Sequence, residues 1–391
     1  MGIDIRVLTD EDKERWKLVD KTAFMASDEE AERWARYYQP AWGLGAFIDG
    51  ELQASVSSIP FTLVLEGSHV RMGGVTSVNS MPEFRRQGLV AELLRETLKR
   101  SRDLGESLSG LWTPHPSLYR RYGWEICSDM LRISFAPKSV ELQPGAKAGG
   151  TIRRLTADEW KTVDAVYRAW GGRRNSLLVR DEVRWRLQVD VPGRVLYLYR
   201  NAAGDALGYA ILHPSGDYGS RTLRIFELVA LTSEAYRALL NLVLSHDLVD
   251  SVVWFAPPDE PLLDVVADPG QVKVEQTWAL HLRIVDVAEA LSKRPVYGDG
   301  RLVIAVEDEV CPWNAGTWEV LSAGSRLAAD RCDDEPMLTV DPRALAQLYN
   351  GYRSATQLAL SGRLRPHHPR AVAIADILFA MRTPPCCIDD F

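Results

Sequence analysis

The sequence predicts an α/β chain, two copies of one strand, hairpin, strand and helix unit followed by a third unit of α+β character. Three observations predict it. The chain has 391 residues, more than one ordinary core, so two or three domains are expected. Residues 5–13, "IRVLTDEDK", are echoed at 152–160 by "IRRLTADEW". After residue 291 the pattern changes to short paired strands and amphipathic helices.

The elements follow in chain order. Each echo reads as a short strand, a Thr or Asp cap and an acidic first helical turn. "GAFIDGELQASVSSIP" (45–60) has the strand, Asp-Gly, strand pattern of a hairpin. "VLYLYRNAAGDALGYAILHP" (195–214) repeats it with a longer turn. A strand and a helix come next, "GGVTSVNSMPEFRRQGLVAELLRETL" (73–98) against "FELVALTSEAYRALLNLVL" (226–244). "SLSGLWTPHPSLYRRYGW" (107–124) then parallels "DSVVWFAPPDEPLLDVV" (250–266). Between the copies, "APKSVELQPGAKAGG" (136–150) has the composition of a linker. In the third unit "GRLVIAVEDE" and "GTWEVLSA" read as paired strands. "PMLTVDPRALAQLYNGY" reads as a strand, an Asp-Pro helix start and a helix. "HPRAVAIADILFAM" is an amphipathic helix. The expected domains are 1–145, 146–285 and 286–391.

Bulk composition narrows the function classes. Hydrophobic residues make up 46% and charged residues 25%, ordinary for a soluble globular protein. A net charge of −7 lacks the basic footprint of general nucleic-acid binding. The five cysteines are odd in number and include the adjacent pair Cys386-Cys387, which argues for reduced thiols in a cytoplasmic protein. The charged N-terminus predicts no signal peptide, and no apolar run is long enough to predict a membrane span. No metal-spaced His/Cys cluster appears, and His367-His368 reads as a solvated loop, so no metal is expected.

The segment with chemistry is "FRRQGLV" (84–90). Residues 74–81 read as a strand, Pro82 breaks it, and Leu89, Leu93, Leu94 and Leu98 make the stripe of a helix. Gly88 falls where the first helical N–H groups lack partners. A residue without a Cβ lets an anion approach them, and the helix dipole favours phosphate there. Arg85 and Arg86 add charge-assisted donors. No G-K-[ST] follows, so this is not a Walker loop, and the G-x-G-x-x-G of a dinucleotide fingerprint is absent. A second signal is "TPHPSLYRRYGWE" (113–125). Acyl transfer to an amine needs a base for the ammonium proton and an acid for the departing thiolate. Tyr119 or Tyr122 is the candidate acid, and His115 is a rival proton carrier.

Arg85-x-x-Gly88-x-Val90 between a strand and a helix resembles the pyrophosphate loop of GCN5-related N-acetyltransferases (GNATs). "RRQGLV" followed about thirty residues later by "SLYRRYGWE" is similar to the Eis (enhanced intracellular survival) family of these enzymes. That family has two tandem GNAT folds and a C-terminal domain resembling sterol carrier protein, so the resemblance covers nearly the whole chain. It implies acetyl-coenzyme A as co-substrate and an amine acceptor, either a small molecule or a lysine. Tyr119, first in Y-x-x-[FY]-G, matches the general acid. Phe391 would supply its terminal carboxylate as base. Val78 and Ser80 would receive the acyl-pantetheine arm through their backbone. Arg85, Arg86, Gly88, Leu89 and Val90 would hold the pyrophosphate, and Val90 departs from the family's usual small residue. Trp34 matches an aromatic lining the amine pocket, and Asp390 an acidic penultimate position. Near Phe24 the aminoglycoside-modifying member has an acidic residue where this sequence has Met25 and Ala26, which puts aminoglycosides in doubt as substrates. The carboxylates of Asp389, Asp390 and Phe391 together would attract a cationic amine and raise one another's pKa.

The central copy has "TSEAYRALL" (232–240) at the place of the phosphate loop and is expected to bind no cofactor. The resemblance also implies a homohexamer. The alternative reading is a lipid- or small-molecule-binding protein that uses the sterol-carrier-like domain, with the GNAT folds as a non-catalytic scaffold.

Overall fold

A computed structural model describes residues 2–35, 38–145 and 149–391. They form two units, the described residues of 2–127, 280–382 and 390–391 in the first and those of 128–279 and 383–389 in the second. Residues 146–148 of the expected linker lie outside the described residues.

The first unit begins with β1 (Ile3–Val7), α1 (Lys13–Phe24), α2 (Asp28–Ala35), β2 (Gly43–Ile48), β3 (Glu51–Leu65) and β4 (Ser68–Ser80). Then come α3 (Leu89–Asp103), β5 (Leu108–Leu111), α4 (Pro116–Tyr119) and β6 (Glu125–Ile126). The sheet path runs β1, β2, β3, β4, β5, strand His281–Ile284, β6. Of these neighbours β4 and β5 run parallel and the others antiparallel. The Asp49-Gly50 turn has φ +52° and +82°, the left-handed pair that tight hairpins demand. β4 starts at Ser68 rather than near residue 74, because Glu66-Gly67 makes a second such turn with φ +44° and +93°. α3 buries Leu89, Leu93, Leu94 and Leu98, the stripe its periodicity predicts.

The second unit repeats this topology. Its sheet path runs Lys273–Trp278, Asp129–Phe135, Ser251–Ala256, Thr222–Ala230, Ala206–Ser215, Val195–Arg200, Thr151–Leu155. Its one parallel pair, Thr222–Ala230 with Ser251–Ala256, occupies the position of β4 and β5. The strand beside the fifth strand is exchanged between the copies. His281–Ile284 completes the first sheet, and Asp129–Phe135 completes the second. The chain therefore changes unit between Cys127 and Ser128 and between Ala279 and Leu280. The linker-like stretch is not the crossing point. Leu142 bridges Val266, and the Gln143 N–H donates to the Val265 carbonyl, so this stretch is docked along the second unit. Composition marks loops, whereas sheet edges choose their own partners.

A five-stranded sheet in the first unit orders Arg326–Arg331, Gly316–Ala323, Arg301–Val306, Leu338–Val340 and Leu364–Pro366. Asp341 caps helix Pro342–Tyr349 by accepting from the Ala344 N–H. Buried polar bonds join this layer to the larger sheet. Arg283 Nη2 donates to both carboxylate oxygens of Asp308 at 2.7 Å, and Gln347 Nε2 donates to the Ile126 carbonyl at 2.9 Å. No helix among the described residues is long and apolar enough to cross a membrane.

The second unit holds the tail up to Asp389. The Cys386 N–H donates to the Asn175 carbonyl, and Ile388 packs on a core that includes Leu155 and Trp185. Asp389 is fully buried and accepts from Arg180 Nε at 2.8 Å, while both Arg180 Nη groups bond Glu227. Tyr209 donates to Glu227 at 2.6 Å. The expected cluster of three terminal carboxylates therefore loses Asp389, whose charge Arg180 neutralises. Arg180→Met leaves two buried carboxylates unpaired. It should lower stability by about 3–5 kcal/mol, read as a fall in the urea unfolding midpoint.

Candidate active site

β4 and its continuation into α3 make the centre of the candidate site. The pairing of β4 with β5 runs from Met72–Leu108 to Val75–Leu111 and stops. Beyond it, among the described residues, residues 76–80 of β4 have a strand partner on the β3 side alone. There too the register breaks, from Ser55–Asn79 to Ser57–Thr76, which leaves Ser77 and Val78 in a bulge. Ser77 sits at φ +46°, an uncommon conformation for a residue with a Cβ. The interrupted ladder leaves a notch in the sheet at residues 76–80.

The chain then turns through Pro82–Phe84 into α3. Arg86 and Gly88 both have positive φ, +61° and +88°. The two left-handed residues flank Gln87, and turns of mixed handedness gather backbone N–H groups on one side as anion nests. The first intrahelical bond is Glu92 N–H to the Gly88 carbonyl, so the N–H groups of Leu89, Val90 and Ala91 precede it without helical acceptors. A Cβ on Gly88 would meet nothing within 4 Å, so the helix start is open. Arg85 and Arg86 are exposed beside it, and Arg85 Nη2 reaches the Ala23 carbonyl at 3.4 Å. Leu89 is 2% exposed, so its side chain belongs to the core and only its backbone is available. Val90 packs partly against the same core.

The matching helix start in the second unit is built differently. Thr232 caps it, its hydroxyl accepting from the Ala235 N–H at 3.2 Å, and Glu234 stands in the first turn. Side chains thus satisfy and screen the groups that the Gly88 start leaves open.

Tyr119 ends α4 and is buried at 8% exposure, its ring edge-on to Trp124 at 6.2 Å. Burial pushes its phenol up to about 12. It shares a core with Val75, Leu89 and Leu111, so it stands with the strand ends that frame the notch. Tyr122 is also buried, under the Arg95 guanidinium, and its carbonyl accepts from Arg283 Nε, a packing role. His115 is exposed. Phe391 lies against Phe61, with ring centroids 4.8 Å apart. A Cβ on Gly74 would come within 2.9 Å of the Phe391 ring, so this β4 glycine makes the seat for the last residue. Val78, Ser80, Arg85, Arg86, Gly88, Leu89 and Val90 thus form one strand-turn-helix segment. Tyr119 shares its core, and Phe391 packs on its strand. Trp34 is half exposed on α2 and Asp390 is exposed. No hydrogen bond or ring contact among the described residues draws either one into the cluster.

Sequence reasoning missed Gly74, Phe61, Asp20 and Asn79. The adjacent glycines 73–74 inside a strand were a usable signal of close approach. Nothing in the sequence pairs Asp20 with Asn79, whose hydrogen bond joins α1 to β4.

Comparison with known proteins agrees with this architecture. Residues 4–127 and 176–284 match family models described as acetyltransferase (GNAT) domains, and residues 287–387 match a sterol carrier protein domain. The chain is 27% identical to an uncharacterized N-acetyltransferase of Streptomyces avermitilis, over 98% of each chain. It is 25% identical to N-acetyltransferase Eis of Mycobacterium tuberculosis, over 80% of this chain and 78% of that one. Among solved structures, Eis1 from Mycobacterium abscessus superposes with a TM-score of 0.84 at 28% identity over the whole of both chains. A GCN5-related N-acetyltransferase from Anabaena variabilis shares the fold, with a TM-score of 0.91 at 21% identity and full coverage of both chains.

Proposed function

Because the chain belongs to the Eis-like family of N-acetyltransferases, we propose that its first unit transfers an acetyl group from acetyl-coenzyme A directly to an amine. The contrast between the two helix starts carries the reading. The same fold occurs twice, once with an open, arginine-flanked N-terminus at Gly88 and once with a Thr232 cap and a first-turn glutamate. Only the first suits a diphosphate.

In this reading the diphosphate lies on the N–H groups after Gly88, with Arg85 and Arg86 beside it. The acyl-pantetheine arm runs into the notch and bonds the backbone at Val78 and Ser80. The amine nitrogen attacks the thioester carbonyl, a C–N bond forms and the C–S bond breaks. The Phe391 carboxylate takes the proton from nitrogen, and Tyr119 gives its proton to the thiolate. Trp34 and Asp390 lie on the amine side, where a carboxylate and an aromatic face both favour a cation. The acceptor class is a small polyamine or a lysine side chain. All five cysteines are free, which supports a reducing, cytoplasmic setting. Assembly as a hexamer is part of the same reading.

Thiol release from acetyl-coenzyme A across a panel of polyamines, aminoglycosides and lysine peptides tests the reading. At least one amine should release thiol well above the enzyme-free rate. A panel in which none does overturns it.

A further inference from the structure

The transfer reading leaves a buried carboxylic side chain beside the candidate site without a task. Asp20, on α1, is 4% exposed, and its carboxylate faces the bulged part of β4. Its Oδ1 accepts from Asn79 Nδ2 at 3.0 Å, and the nearby Ser77 hydroxyl favours its ionised form. Asn79 is 3% exposed, and its Oδ1 accepts from both the backbone N–H and the hydroxyl of Ser55, at 3.0 and 2.8 Å. The Ser55 N–H is a donor, so it fixes which end of the Asn79 amide points each way.

The location of this network gives it meaning. The bulge removes ladder bonds between β3 and β4, and the Asn79 side chain supplies an acceptor for the Ser55 N–H at that point. Asp20 bonds Asn79 and lies beside Ser77, the residues on either side of Val78. Ser77 is at φ +46° without being glycine, a state that persists only where its surroundings impose it. A buried carboxylate is a costly acceptor, and its burial pushes its pKa up. A fold needing only filler would take an apolar residue here.

We infer that Asp20 and Asn79 are positioning residues of the transfer reaction, a clamp that holds the Ser77–Val78 bulge in the shape that receives the acyl arm. The inference rests on the transfer reading above. The clamp acts on thioester placement, and it touches neither the proton donor nor the acceptor. Its loss therefore weakens cofactor binding more than it slows the bound complex.

The test uses the full chain and measures the acetyl-coenzyme A Kd by calorimetry together with KM and kcat. Asp20→Ala and Asn79→Ala should each raise Kd and KM for acetyl-coenzyme A roughly tenfold to a hundredfold, with a much smaller change in kcat at saturation. Asp20→Asn, which keeps an acceptor for Asn79, should stay close to the parent. Adding Ser77→Gly to Asp20→Ala should recover most of the lost affinity, because glycine adopts positive φ without a clamp. Equal acetyl-coenzyme A affinity in the parent and in Asp20→Ala overturns the inference. So does a failure of Ser77→Gly to recover any affinity, since a residue that only stabilises the fold would behave that way. If Asp20→Ala does not fold, the Asn79→Ala and Asn79→Ala/Ser77→Gly pair gives the same decision. A parent chain that binds no acetyl-coenzyme A overturns the transfer reading instead, so the two failures are distinguishable.

Discussion

If Tyr119 is the general acid, Tyr119→Phe should lower kcat for acetyl transfer by about 10²–10⁴-fold while acetyl-coenzyme A affinity stays near the parent value. That factor corresponds to roughly 3–5 kcal/mol of transition-state stabilisation. The substitution keeps the ring that meets Trp124 edge-on, so packing is preserved and the hydroxyl alone is lost. The phenol is held up to about 12 by burial. An acid acts only in its protonated form, so raising its pKa extends activity to higher pH. The rate should show no alkaline decline from Tyr119 at the ordinary tyrosine value of about 10. A decline near the ordinary tyrosine value of about 10 would point to a more exposed phenol. His115→Ala is the control, because His115 is exposed and outside the shared core. If His115→Ala abolishes turnover and Tyr119→Phe does not, the acid assignment is wrong.

Removing Phe391 has an effect of similar size, a fall in kcat of about 10²–10⁴-fold, if its terminal carboxylate is the base. The deletion makes Asp390 the last residue and draws the α-carboxylate back by about 3.8 Å, beyond hydrogen-bond reach of its former position. It also removes the ring that packs on Phe61 and over Gly74. Adding one glycine after Phe391 separates the two effects. The ring keeps its seat and only the carboxylate moves, so the extended chain should lose turnover like the deleted one while binding acetyl-coenzyme A normally. Full turnover in the extended chain would assign proton removal to another group.

Much of the candidate site was legible in the sequence because it is local. The strand read at 74–81, the break at Pro82, Gly88 and the stripe of α3 follow one another in the chain, and each announces itself by a short-range rule, although β4 itself starts earlier, at Ser68. Tyr119 lay within a short motif. What stayed illegible depends on distant partners. Asp389 read as one of three clustered acids until Arg180, 209 residues away, was seen to bury and neutralise it. The strand exchange could not be read either, because 129–135 and 281–284 both read as short strands of mixed polarity, and neither carries a mark of the sheet it joins.

The sequence by itself determined the repeat, the change of pattern after residue 291, the glycine-containing helix start in one copy and its loss from the other. These rest on backbone propensities and on periodicity, which act over a few residues. Tertiary structure alone decided which strands complete each sheet, where the bulge in β4 falls and what holds it. Asp20 and Asn79 are 59 residues apart in the chain, and their hydrogen bond exists only because α1 packs on β4. Burial of such a polar pair is worthwhile only once the fold has excluded water from both partners.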